Sequence, residues 1–376
     1  MVDRQEERDT AYRILSLLRW SLCKNDFPNA DYSEDYCDRL FTFAKAHGVV
    51  SLVAYALERN GVKSSVFHVE SAKIMSYDVL YDHEYKNVTG YLDEAGICYL
   101  PLKGIELKHL YPLTYLREML DIDLLLEDDA SADAAKAVMN SAGYITKSFR
   151  KSNHDVYCKK PMFSFEIHRT LVDEHLFPDI GKAVEGLWTR LSKEDGCKCR
   201  MKASESDRYL LIILHAYKHY ITGGMGLRVL LDVYLFTQAY GDKLDRDMIN
   251  ARLKTAGAAE FEQRLLDLSQ RFLSPENLSE EQRGFLDEFI FYGLYGSRKR
   301  AQEMYFKKYV GEGTEKNKLL YIRQRLTVPE ARIERSRFFS KHRRLAPILA
   351  VYRPVKSVVT RPRKLIKELK ELKKYR

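Results

Sequence analysis

The sequence predicts an α+β protein: a sheet domain embedded between N-terminal and C-terminal helical regions. Two observations predict this. Apolar residues recur at three- and four-residue spacings through the first hundred positions and again after position 204, with charges between them. Between these regions the chain changes to short apolar or alternating runs in the order strand, helix, strand, helix, then several strands.

The helical periodicity covers segments near 5–24, 34–47, 49–60 and 69–95, and Gly96 is placed to end the last of them. ICYLPLKG then reads as a strand closing on Gly104, and IELKHLY as a short helix. DIDLLLE alternates carboxylates with apolar residues, the period-two pattern of a strand. The stretch 131–142 is a helix with Asp129 or Ser131 as its cap and Gly143 as its stop. YITKSF, DVYCKK and FSFEIHRTL are three further strands, and GCKCRMK reads as a strand on which Cys197 and Cys199 alternate. A lone C-x-C is not a zinc spacing of any strength. SESDRYLLIILHAYKHY opens on Ser and acids, as helices do, and helices near 226–240, 246–256, 259–273 and 279–294 follow. GGMG at 223–226 is a helix–helix turn, since neither a preceding strand nor a following Lys-Ser or Lys-Thr makes it a phosphate loop. These boundaries divide the chain into a helical region 1–96, an α+β core 97–200, a helical domain 201–330 and a basic, partly amphipathic tail 331–376.

The formal charge is +9 over 376 residues, but the last 46 residues contribute +13, leaving the body at −4. The basicity therefore belongs to the tail, and the body offers no evident nucleic-acid stripe. In the tail, Leu365, Leu369 and Leu372 share a helical face among bases. Packing of that face on the body is the first expectation, and contact with an anionic membrane surface the second. No apolar run reaches the roughly 18 to 20 residues of a membrane helix. The charged start MVDRQEERDTAY and the scattered cysteines fit a cytoplasmic protein.

The chemistry centres on Asp121 and Asp123. One residue apart on a strand, they project from the same face, where two carboxylates repel unless a cation lies between them. Magnesium suits such a pair, because it takes few carboxylates and fills its shell with water and phosphate oxygens. Two-metal transfer calls for a third acid from a neighbouring strand. Glu166 is the candidate: it sits inside an apolar strand, where a charge is costly unless neutralised. A D-x-D alone is most often a solvated strand edge, so the pair gains meaning from its companions.

The run LPLKGIELKHLYPLTYLREMLDIDLLL, followed by AGY and FEIHRTL, resembles the uncharacterised bacterial nucleotidyltransferase family of the DNA polymerase β-like superfamily. LFTFAKAHGVVSLVAYAL upstream, LLIILHAYKHY with GLRVLLDVYLF downstream, and LAPILAVYRP before the basic end are similar to it as well. The resemblance implies Asp121, Asp123 and Glu166 as ligands of Mg2+ or Mn2+. It also implies that Lys103 and Gly104 form the nucleotide-binding turn and that Arg117 faces the phosphates or positions the metal loop. The sequence departs from the superfamily at Ile105, where the broad pattern has a phosphate-binding Ser, and in the longer gap from Gly104 to Asp121.

His168, two residues beyond Glu166, shares its face and is read as orienting a metal ligand or taking the acceptor's proton. His215 and His219 lie four apart on one helical face, but Ala216 follows the first of them, which argues against zinc. His219, Arg228 and Asp232 have two readings: acceptor-side or ribose contacts, and buried structural hydrogen bonds, the latter preferred. The expected activity moves a nucleoside monophosphate from a nucleoside triphosphate to an acceptor, with a small molecule or saccharide phosphate favoured over nucleic acid. The alternatives are a non-catalytic nucleotide- or partner-binding protein of the same fold and a tRNA-modifying, toxin-like transferase.

Overall fold

The computed structural model of the chain describes residues 4–291 other than 175. The expected basic tail, 331–376, and the region from 292 to 330 lie outside the described residues. Four helices come first: α1 (Arg4–Cys23), α2 (Glu34–His47), α3 (Val50–Arg59) and α4 (Ser65–Glu94). Gly96 adopts φ +70 just past α4, the left-handed conformation that lets the chain reverse into the sheet without a Cβ penalty.

The sheet segment contains β1 (Tyr99–Leu102), α5 (Gly104–Leu107), β2 (Ile122–Leu126), α6 (Ser131–Ser141), β3 (Ile145–Ser148), β4 (His154–Lys159) and β5 (Phe163–His168). The strands form one mixed sheet of order β1-β2-β5-β4-β3, in which only β2 and β5 run parallel. Two caps differ from expectation. The Asp128 carboxylate, not Asp129 or Ser131, accepts from the Ser131 N–H at 2.7 Å at the start of α6, and Asp129 instead receives Arg150 and Arg169. GCKCRMK is also not a strand throughout. After α7 (Pro178–Ala183), α8 (Leu187–Arg190) and β6 (Ser192–Lys193), only Met201–Lys202 extends, as β7. The Asp93 carboxylate takes the Cys199 N–H that a regular strand would give to a neighbour.

Helices α9 (Glu205–Thr222), α10 (Arg228–Tyr240), α11 (Arg246–Thr255), α12 (Ala259–Arg271) and α13 (Glu280–Ile290) follow. The Ser204 hydroxyl accepts from the Asp207 N–H at 3.1 Å, so the Ser-initiated start of α9 is a true N-cap. Apolar faces of α1–α3 and α9–α13 share one large core that includes Leu17, Leu52, Ile213, Leu230 and Leu265. All described residues belong to one compact unit, Met1–Arg298.

The two faces of the sheet are different. Tyr99, Ile122, Leu124, Tyr157, Phe165 and Ile167 pack with α4 and α6 residues such as Val88 and Ala135. The opposite face carries Leu100, Leu102 and Leu125 in a smaller cluster, together with Asp123, Glu166 and His168. All five residues of β2 are buried: Ile122, Leu124 and Leu126 point to the α4–α6 side, and Asp123 and Leu125 point to the other.

Candidate active site

The residues before β2 form a loop held by three helices. Arg117 is buried and forms a bidentate pair with Asp232 of α10, at 2.8 and 2.9 Å; the Tyr111 hydroxyl donates to the same carboxylate at 2.9 Å. The Glu118 carboxylate accepts from the Ser51 N–H on α3, and its carbonyl from Arg228 on α10. The Tyr81 hydroxyl of α4 donates to the Leu120 carbonyl at 2.8 Å. These bonds fix the chain where it delivers Asp121, which stands one residue ahead of β2, and Asp123, which lies within it.

The parallel register pairs Asp123 with Glu166 and Leu125 with His168. The hairpin between β4 and β5 brings His154 opposite His168. The three acids therefore converge on one sheet face beside two imidazoles. His168 Nε2 lies 2.8 Å from Asp123 Oδ1, and Lys103 Nζ lies 3.2 Å from the same oxygen. Glu166 is 3.6 Å from His154 Nε2 and 3.8 Å from His168 Nε2.

The environments push the acids apart. Burial raises Asp121, reinforced by the charges of Asp123 and Glu166, to about 6. Burial acts on Asp123 in the same direction, but the Lys103 ammonium and the His168 hydrogen bond outweigh it and hold that carboxyl well below its usual range. Glu166 is raised by burial and by Asp123. Burial lowers His168 and His154, so both imidazoles are neutral near pH 7. An ionised Asp123 can only accept, which assigns the His168 proton to Nε2.

The Lys103–Gly104 turn stands beside this group. Lys103 has φ +47, a strained conformation for a residue with a Cβ, and it caps the single turn of α5. Gly104 is required sterically: a Cβ there would lie 2.8 Å from Arg117 Nη1 and 2.9 Å from Met119 Sδ. Ile105 is buried in the core between the sheet and α4, so its side chain serves packing. Lys108, fully buried, donates to Asp78 and Asp82 of α4 at 2.6 Å each and anchors the turn from behind.

Across from the sheet, α9 and α10 supply the other wall of a cleft of about 390 Å³, lined by Lys103, Asp121, Asp123, Glu166, Lys218 and Arg228 among others. His219 lies on this wall and is exposed, with its ring 4.4 Å from that of His215. Burial and the nearby Lys103 lower the half-buried Lys218 to about 8, and Asp123 and Glu166 pull it the other way.

The structure thus brings Asp121, Asp123, Glu166, His168, Lys103 and Gly104 together. Arg117 and Asp232 line the cleft while bonded to each other, and Arg228 holds a backbone carbonyl. Sequence reasoning missed His154. The observed hairpin, with its connection 160–162, pairs it with His168, whereas the expected strand DVYCKK starts one residue later, at Asp155, and leaves His154 outside. His154, Glu166 and His168 each offer a ligand atom within 4.8 Å of the others, a geometry open to a metal ion. Lys218 carries no local signal in the sequence; its direction toward the acids depends on how α9 packs.

Among the described residues, no helix is long and apolar enough to cross a membrane. No curated protein and no solved structure matches the chain. A family model described as "Uncharacterised nucleotidyltransferase" matches residues 33–274, which include the whole sheet, the loop before Asp121 and helices α9 to α12. The chain therefore belongs to the uncharacterised nucleotidyltransferase family, a family of transferases.

Proposed function

We propose that this cleft transfers a nucleoside monophosphate from a nucleoside triphosphate to an acceptor hydroxyl or phosphate, releasing pyrophosphate, on a polymerase β-like core at 97–200. The observation that carries the reading is the convergence of Asp121, Asp123 and Glu166 beside a glycine turn, in a cleft whose opposite wall is formed by α9 and α10. Three crowded carboxylates, one raised to about 6, are a site in want of cations. Bound Mg2+ or Mn2+ would hold the attacking and leaving oxygens in line and neutralise charge developing on the phosphoryl group. Mn2+ tolerates imidazole nitrogen better, and His154 and His168 stand beside the acids.

The chain's own residues have distinct tasks. Asp123 stays ionised through Lys103 and His168, so it is ready to ligate at neutral pH. His168 orients that carboxylate from a buried position. Lys103 and Lys218 present two ammonium groups to the cleft, and once cations occupy the acids these charges are available to the triphosphate. Arg117, held by Asp232, fixes the loop and backs the glycine turn. The preferred acceptor is a small molecule or saccharide phosphate, in keeping with the acidic body.

Calorimetry with Mg2+ and a non-hydrolysable nucleoside triphosphate, with pyrophosphate release measured alongside, tests the reading. The double variant Asp121→Asn/Asp123→Asn loses magnesium-dependent binding and turnover if the reading holds; unchanged values overturn it. A binding-only protein of the same fold is the second reading, favoured by Ile105, whose buried side chain offers no hydroxyl to a phosphate. Nucleotide binding without pyrophosphate release for any acceptor class supports it.

A further inference from the structure

The sheet face that carries the acids does not end with them. On β1, Leu102 pairs with Asp123 and Leu100 with Leu125, so the face passes from carboxylates to aliphatic side chains within one residue pair. Beyond this border lies a second cavity of about 90 Å³, with walls that include Leu100, Leu102, Leu171, Val172, Ile180 and Leu211. It meets the acid cleft at Lys103, His168, His215 and Lys218, which line both spaces. At its other end Arg200 bonds Glu106 and Glu194, each at 2.7 Å, and these charged groups also belong to the lining.

We propose that this cavity receives a short aliphatic portion of the acceptor, whose nucleophilic hydroxyl or phosphate stays in the cleft. This presupposes the nucleotidyl-transfer reading of the cleft and adds the chemical class of the acceptor. Size and lining decide the class. At about 90 Å³ the cavity is smaller than the about 150 Å³ apolar cavity known to take benzene. A nucleobase is larger than benzene and exceeds this volume. A few methylene or methyl groups fit both the volume and the walls. A sealed packing void would be bounded by apolar groups alone, whereas this one has two lysines of the reaction cleft at its mouth. The acceptor is then a small alcohol or phosphate monoester with a compact alkyl group, and burial of that group aligns the nucleophile with the acids.

The test titrates n-alkyl phosphates, from methyl to hexyl, into the full-length protein by calorimetry, in the presence of Mg2+ and a non-hydrolysable nucleoside triphosphate. Affinity rises about fourfold for each methylene added until the cavity is full, then levels off. Leu211→Trp fills the cavity and flattens the series to the level of methyl phosphate, leaving magnesium-nucleotide binding unchanged. Ala203→Val, a smaller intrusion into the same wall, shortens the chain length at which the plateau begins and serves if the Trp variant does not fold. Affinity independent of chain length, or a series that neither substitution alters, overturns the proposal. Failure of the native chain to bind magnesium-nucleotide overturns the transfer reading instead, and the chain-length dependence is read separately from it.

Discussion

Asp123 and Glu166 are register partners on the only parallel strand pair of the sheet, 43 positions apart in sequence and side by side in the fold. Around this pair stand Lys103 and His168 on Asp123, His154 beside Glu166, and Asp121 at the entry to the strand.

On the proposed metal-dependent reading, replacing either partner removes a ligand and leaves its companions uncompensated. Asp123→Asn lowers magnesium-dependent turnover by about a thousandfold, since it also releases Lys103 and His168. His168→Ala, which removes only the group orienting the ligand, lowers metal affinity by about 10- to 100-fold. Calorimetric metal titration of the two variants checks the order; equal losses would show that His168 ligates directly.

Asp121 gives a stability prediction. Its folded pKa, about 6, lies above the unfolded value, so the folded state holds the proton more tightly. The metal-free protein therefore gains stability from this group as pH falls from about 6 toward 4 and loses it as pH rises through that window. Asp121→Asn removes the penalty and stabilises the metal-free protein by about 1–3 kcal/mol at pH 7, while abolishing turnover. Denaturant unfolding in chelator at pH 7 and pH 5, for both proteins, measures it: the difference between them shrinks at the lower pH.

Gly104 and the Arg117–Asp232 pair form one mechanical unit. A methyl at position 104 meets the Arg117 guanidinium at 2.8 Å, and the bidentate bond to Asp232 prevents that group from yielding freely. Gly104→Ala costs about 1–3 kcal/mol by overpacking. Arg117→Met costs about 3–5 kcal/mol, because it leaves a buried carboxylate unpaired, and Arg117→Met/Asp232→Leu recovers much of that loss. A double-mutant cycle in chemical denaturation tests the pairing.

On the proposed reading, Lys218 links nucleotide affinity to pH. Its pKa, lowered to about 8, means that the cleft loses one positive charge as pH rises through 8. Affinity for tripolyphosphate in Mg2+ falls over pH 7.5–9 in the native protein. In Lys218→Met it is about tenfold weaker at pH 7.5 and flat across the same window. A slope that persists in the variant assigns the titration to another group.

The legible parts of this fold were the local ones. Periodicity marked the helices, Gly96 marked the reversal into the sheet, and Ser204 marked the start of α9, because each depends on residues within one or two turns. The failures were also local in sequence but not in cause. Asp128 and not Asp129 caps α6, since Arg150 and Arg169 claim Asp129 from elsewhere in the fold. The Cys197–Cys199 stretch is not extended throughout, because Asp93, 106 positions earlier, takes the Cys199 amide.

The sequence by itself determined the strand that carries Asp123, with Asp121 one residue ahead of it, the embedded Glu166 and the Lys103–Gly104 turn. Alternation and an acid in an apolar run are written in neighbouring residues. Only the tertiary structure decided that Asp123 is held low while Asp121 and Glu166 are raised, that Arg117 is bound to Asp232, and that His154 and Lys218 face the acids. Those outcomes depend on which distant charge each buried group meets in a medium where an unmatched charge is costly. Strand register and helix packing choose those partners; spacing along the chain does not.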